Sequence, residues 1–354
     1  MVIDTKIASP SVHTSSEWRQ FVKVFIATLV IALATTYLLI LVLDPYDSGR
    51  FANYPVYGVV DENPRTAHVS RGRDPQFNSV VIGHSRGQLL DPERLSKETR
   101  LSFVQLTVPG TTPREQLTLL RWFTEHHSQI GAVILVADTA WCTQNPAVPL
   151  LNPFPFWLYS ENNFEYLINV LRTQALGRAW RRTLLWLGLR KRSSPDGYWD
   201  YEAGRNWAFR PNIPINFVPA SLQATEPKLS FPPIELLHHA LSKLDRDVPL
   251  VIVRPPAFFT ELPASGDPNA NLISQCKGAL AEVTSQRLRG AFLDFEVDGE
   301  IARNPENFMD GAHYRAPVAR RRFFARVGHL KTWRRNPAAR SERRFNSSRF
   351  PEND

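Results

Sequence analysis

The stretch Ser79-Val-Val-Ile-Gly-His-Ser-Arg-Gly-Gln-Leu-Leu-Asp91 sets a serine between two glycines directly after a short apolar run. Gly83-His84-Ser85-Arg86-Gly87 has the form G-x-S-x-G, in which a strand ends, the serine takes a tight turn and a helix begins. Three fixed positions in five also arise by chance. The flanking sequence decides which fold this serine serves.

Val80-Val81-Ile82 reads as a short buried strand, Phe103 to Leu106 as a second and Ala132 to Val136 as a third. Between the last two, Pro113 to His127 carries Leu117, Leu119, Leu120 and Phe123 at helical spacing behind a proline, which predicts a helix. The alternation resumes with a strand at Pro249 to Arg254, a helix near Leu272 to Leu288, a strand at Ala291 to Phe295 and a last helix from about Pro317 to about Leu330. Strand and helix in turn predict an α/β fold with a parallel sheet.

An α/β-hydrolase places its elbow after the fifth strand. Residues 44–78 precede this elbow, are rich in Pro, Asn, Asp and Arg, and read as an extended connection. Four strands with crossovers, at roughly 30 residues per unit, do not fit there. The serine therefore follows the first strand of its sheet. Near the other end, Phe308-Met309-Asp310-Gly311-Ala312-His313-Tyr314 puts an aspartate three residues before a histidine, so one loop can deliver both a general base and the carboxylate that orients it.

A first-strand serine with a terminal D-x-x-H resembles the SGNH (GDSL-like) hydrolase superfamily, and more closely its membrane-anchored branch that modifies cell-envelope polysaccharides and related polymers. The motifs cover residues 78–142 and 248–328. The resemblance implies a three-layer, flavodoxin-like domain over 79–330, with Ser85 as nucleophile, His313 as base and Asp310 as its partner. It also implies an oxyanion hole from the amides of Ser85 and Gly110, the glycine that follows the second strand. The third motif departs from the family's Gly-x-Asn-Asp: this chain has Val136-Ala137-Asp138-Thr139-Ala140, where an ionised Asp138 opposes an oxyanion and Thr139 can donate, a departure that weighs against catalysis. The implied activity is that of a serine esterase or O-acyltransferase, acting on acetyl or other acyl groups of an envelope polysaccharide. It needs no cofactor, and its acyl donor can come from a membrane-bound acyltransferase partner. The competing reading is an inactive member of the fold that binds polysaccharide or assists envelope assembly.

Val24 to Leu43 holds no charge over a length that crosses a bilayer core of about 30 Å. It is longer than a signal-peptide core and lacks a small-residue cleavage site, so it reads as an uncleaved anchor over 24–43 after a cytoplasmic segment 1–23. Lys6, Arg19 and Lys23 before it, against Asp44 and Asp47 after it, predict a single-pass protein of the bacterial inner membrane with a periplasmic body. Residues 141–233 interrupt the α/β alternation with a Trp-, Tyr- and Pro-rich insertion. Its clearest element, Phe164 to Arg190, is a basic amphipathic helix that either caps the domain or lies on a membrane surface.

The net charge of +8 is concentrated in this insertion and in a basic tail, 331–354, which reads as disordered. No zinc-finger spacing or RNA-binding signature accompanies it, so nucleic acid is not expected. Two cysteines, Cys142 and Cys276, allow either one bridge or two buried thiols. Ser85 has an alternative role as a helix cap, and Arg86 either binds an anionic substrate or pairs with a loop acid. His84, His126, His127, His238 and His239 read as packing or surface residues, and no metal site is expected.

Overall fold

Five five-residue stretches form the strands β1 (Ser79–Gly83), β2 (Phe103–Thr107), β3 (Ala132–Val136), β4 (Leu250–Arg254) and β5 (Gly290–Asp294). In the computed structural model, which describes residues 15–51, 54–204, 208–210, 229–264 and 266–323, they make one parallel sheet in the order β2-β1-β3-β4-β5. The first four are buried along their whole length. That is why they read as short, largely apolar runs rather than as patterns of strict alternation.

Side chains alternate between two cores. Val80, Ile82, Val104, Leu106, Val133, Leu135, Leu250 and Ile252 point to one face. There they meet helices α4 (Pro113–His126), α8 (Pro232–Ser242) and α9 (Pro268–Ser285). Val81, Phe103, Ile134, Val136, Val251 and Val253 point to the other, where they meet Leu95 of α3 (Pro92–Thr99) together with Phe258, Phe308 and Tyr314. Four helix starts follow one recipe, an Asp, Asn or Thr cap followed by proline: Asn63-Pro64, Asp91-Pro92, Thr112-Pro113 and Asp267-Pro268.

The first helix, α1 (Ser15–Leu43), contains a span, Ser16–Leu43, that is long and apolar enough to cross a membrane. Its last two turns are not isolated. Ile40 is buried in the first core, with Tyr37 and Leu41 packed against it.

Residues 44–78 are not the extended connection that their composition suggests. They include α2 (Pro64–Gly72), which is started by Asn63 accepting from the Arg65 amide and packs against β2 and α4. Ala67 and Val69 are its only apolar buried residues. The rest of the buried face is His68, Ser70, Arg71 and Gly72, and hydrogen bonds rather than apolar contacts satisfy its polar members, leaving no hydrophobic period to read. Asp47, fully buried, organises the segment. It accepts from Ser70 (2.6 Å), Gly58 N (2.8 Å), Arg73 (2.8 Å) and Arg182 (2.7 Å), and its carboxyl titrates low because these two guanidiniums and Ser70 outweigh the effect of burial.

Arg182 comes from the insertion, which forms α5 (Phe156–Tyr159), α6 (Asn163–Val170) and α7 (Thr173–Trp186). The single helix expected over Phe164 to Arg190 is thus two, broken at Leu171-Arg172. Two of its arginines turn inward, Arg182 onto Asp47 and Arg178 onto Asp61. A disulfide joins Cys142, just after β3, to Cys276 of α9 and closes a loop of 134 residues. The final helix is described only as a short turn, Ala316–Val318, continuing through Ala319–Phe323. The remainder of the expected helix and the 331–354 tail lie outside the described residues, as does much of 205–228 in the insertion.

Candidate active site

At its carboxyl end β1 runs between β2 and β3, and Gly83 is its last residue. A Cβ there would sit 2.8 Å from Val136 Cβ and 3.1 Å from the Val136 carbonyl, so only glycine lets the strand exit at this point. The chain then makes a 3₁₀ turn over Ser85–Gly87. The residue capping that turn is His84, whose Nδ1 accepts from Arg86 N, while Asp91 caps α3. The Ser85 hydroxyl is therefore not a cap. Its Oγ lies 2.8 Å from His313 Nε2.

His313 and Asp310 occupy a tight loop between Phe308 and Tyr314, which form an antiparallel bridge and are both fully buried. Asp310 Oδ1 accepts the amides of Ala312 (2.9 Å) and His313 (2.8 Å), which fixes the carboxylate within its own loop. His313 Nδ1 stands 3.0 Å from Oδ1 and 2.9 Å from Oδ2. Burial pushes the Asp310 carboxyl up, but the hydrogen bond and charge of His313 and the two amides more than offset it, leaving it below the ordinary carboxylate range. With the proton held on Nδ1, Nε2 is free to accept from Ser85. Ser85, His313 and Asp310 thus form one continuous chain of hydrogen bonds from two loops 228 residues apart.

Two tyrosines that the sequence did not single out set this geometry. Tyr314 Oη donates to the Arg86 carbonyl (2.6 Å), tying the histidine loop to the residue after Ser85. Tyr201, from the insertion, donates to the Tyr314 carbonyl and places its ring edge-on to His313 at 5.6 Å. Glu202 next to it receives Arg315 (2.7 Å) and the Ala316 amide. Tyr314 adjoins the D-x-x-H motif and was accessible to sequence reasoning. Tyr201 carried no signal, since only the tertiary fold brings it to a loop more than a hundred residues away.

Of the two roles open to Arg86, substrate contact and pairing with a loop acid, the structure shows the second. Its side chain is buried, donating to the Pro255 and Pro256 carbonyls and pairing with Glu296 Oε1 at 3.5 Å. Glu296, in the loop two residues past the end of β5, also receives Arg254 of β4. His84 is likewise buried, with Nε2 3.4 Å from Asp138 Oδ2, and desolvation lowers its pKa to about 4. A neutral His84 that accepts on Nδ1 carries its proton on Nε2, facing the Asp138 carboxylate. Asp138 Oδ1 accepts from Ala140 N, and Oδ2 faces His84 without a hydrogen bond.

Gly110 lies in the loop after β2 with φ +62°, a left-handed conformation suited to glycine. Arg65 Nη2 holds the Pro109 carbonyl at 2.7 Å, and Asn152 Nδ2 holds the Gly110 carbonyl at 3.0 Å. A trans peptide points its N–H opposite to its carbonyl, so the grip of Arg65 on Pro109 turns the Gly110 N–H away from Arg65. Among the described residues neither the Gly110 nor the Ser85 amide has a hydrogen-bond partner. Thr139 is half-buried at the first position of the 3₁₀ turn after β3, and its hydroxyl also has none. All three donors stand just beyond the carboxyl ends of β1, β2 and β3, on the side where open α/β sheets bind ligands.

No protein-family model matches the chain. No curated protein matches it in sequence either.

His126 and His127 bond back to carbonyls one turn earlier, and His238 meets Gln286. Among the described residues no three His, Cys, Asp or Glu side chains converge to hold a metal ion.

Proposed function

We propose that the protein is a membrane-anchored serine esterase or O-acyltransferase of the three-layer SGNH type, acting on acyl groups, acetyl above all, of an extracytoplasmic polysaccharide. The observation that carries this reading is the unbroken Ser85–His313–Asp310 hydrogen-bond chain at the exit of the first strand. Ser85 Oγ attacks the acyl carbonyl while His313 Nε2 takes its proton, and Asp310 stabilises the resulting imidazolium. The tetrahedral oxyanion is held by the amides of Ser85 and Gly110, with the Thr139 hydroxyl as third donor. Collapse expels the alcohol, protonated by His313, and leaves an acyl-Ser85 ester. A second hydroxyl, from water or a sugar, reverses these steps.

The disulfide supports an extracytoplasmic body, because such bonds persist in oxidising compartments. The apolar α1 and the charge asymmetry around it support an inner-membrane, periplasm-facing topology, with the acyl donor supplied by a membrane-bound acyltransferase partner.

Purified full-length protein is treated with a fluorophosphonate and the adduct mapped by mass spectrometry, alongside hydrolysis of a small acetyl ester. Labelling at Ser85 that is lost in Ser85→Ala, together with ester turnover, is the expected result. A folded wild-type protein that neither labels nor turns over any ester moves the reading to a polysaccharide-binding member of the fold.

A further inference from the structure

We infer that α6 and α7 form a second membrane contact, their outer faces seated in the interfacial layer of the bilayer that α1 enters, on anionic lipid. The inference rests on the reading that α1 spans a membrane. The inner faces of these helices are ordinary: Tyr166, Val170, Ala175, Ala179 and Leu185 are buried against the body. The outer faces are not. Phe164, Ile168 and Leu171 line one side of α6 at i, i+4 and i+7, exposed by 70, 59 and 56%. Leu176 and Trp180 continue the row on α7, Trp180 with 63% of its surface exposed. A helix that caps a soluble domain carries polar residues on that side.

The position of α1 indicates what covers this face. Tyr37 Oη donates to the Leu167 carbonyl of α6 at 3.0 Å, and α1 packs along α7. Tyr37 lies six residues before Leu43, which at 1.5 Å per residue is about 9 Å below the end of the apolar helix. An element bonded to α1 at that depth lies beside the lipid that surrounds α1. Interfacial helices bury their apolar face by about 5 to 10 Å, so the two depths agree.

The charge pattern selects the lipid. Between Glu161 and Arg192 there are seven arginines and lysines against two glutamates, and Arg172, Arg190 and Lys191 remain exposed while Arg178 and Arg182 are consumed by internal ion pairs. Exposed cations beside a lipid-seated apolar row favour anionic headgroups.

The full chain, its native cysteines joined in the disulfide, is reconstituted in nanodiscs of phosphatidylcholine with or without phosphatidylglycerol. Single spin labels are placed through Ile168→Cys and Trp180→Cys. Leu33→Cys on α1 and Lys97→Cys on the opposite face of the sheet serve as references. Relaxation by oxygen, which partitions into lipid, is compared with relaxation by a water-soluble nickel chelate. Labels at 168 and 180 are expected to resemble position 33, with an oxygen-to-nickel ratio several-fold above that at 97, rising further with phosphatidylglycerol. Nickel exposure like that at 97 overturns the inference, as does shielding from both reagents, which marks a protein partner or a second copy. Indifference to phosphatidylglycerol overturns its anionic part. A label at 33 without oxygen exposure instead defeats the anchor reading itself.

Discussion

Asp310→Asn tests the geometry of the site more sharply than removal of the nucleophile does. Asp310 Oδ1 accepts two backbone amides, from Ala312 at 2.9 Å and His313 at 2.8 Å. An asparagine here must keep its carbonyl oxygen at that position, because an NH₂ group would face two N–H donors. Its NH₂ group then takes the place of Oδ2, 2.9 Å from His313 Nδ1, and donates to it. Nδ1 becomes an acceptor, the imidazole proton moves to Nε2, and Nε2 can no longer take the proton of Ser85. Little else changes, since the substitution is isosteric and both loop amides keep their acceptor. Loss of the productive tautomer in a serine triad lowers turnover by about 10⁴-fold, roughly 5 kcal/mol in the barrier. The assay is the rate constant for fluorophosphonate labelling and for hydrolysis of a small acetyl ester, with circular dichroism and thermal melting to confirm the fold. Rates within tenfold of wild type in a folded variant would refute the assignment of Asp310 and His313 as a working pair.

Three further outcomes follow from buried features of the fold. Cys276→Ser opens a loop of 134 residues and is expected to lower unfolding free energy by about 2–5 kcal/mol in denaturant titrations, as is reduction of the wild type; an unchanged midpoint in both would show that the bridge contributes nothing. Arg86→Ala removes a buried guanidinium from Glu296 and the Pro255 and Pro256 carbonyls and is expected to destabilise the domain by about 3 kcal/mol; a fully stable variant with lowered activity on anionic glycan alone would return Arg86 to the substrate. Burial holds His68 near a pKa of about 3 and His84 near about 4, so both stay neutral in the folded state while the unfolded chain takes up protons from pH 6.5 downward. The stability they contribute is present above that value and is lost as pH falls towards the folded values. Chemical denaturation at pH 5.5 should therefore give about 3 kcal/mol less stability than at pH 7.5, and equal values would exclude two buried neutral histidines.

Four of the strands were legible because they are buried along their whole length and so are largely apolar, and α1 because it is a long apolar run without charge after Lys23. Ser85, Asp310 and His313 were legible as a candidate site because a serine triad needs fixed residue types at short local spacings, a strand-to-turn serine and a D-x-x-H loop. Helix α2 was not, because its buried side rests on hydrogen bonds from His68, Ser70 and Arg71, and such a face has no hydrophobic period. For Arg86, next to Ser85, the sequence left open a substrate contact or a loop acid, and the tertiary structure buries it against Glu296, 210 residues away. The same holds for Arg182 on Asp47, for Tyr201 beside His313 and for the cysteine pairing. Local spacing fixes which backbone forms and which reactive groups a loop carries. The partner that neutralises a buried charge, or the ring that steadies an imidazole, depends on which distant segments the packing of two cores brings together.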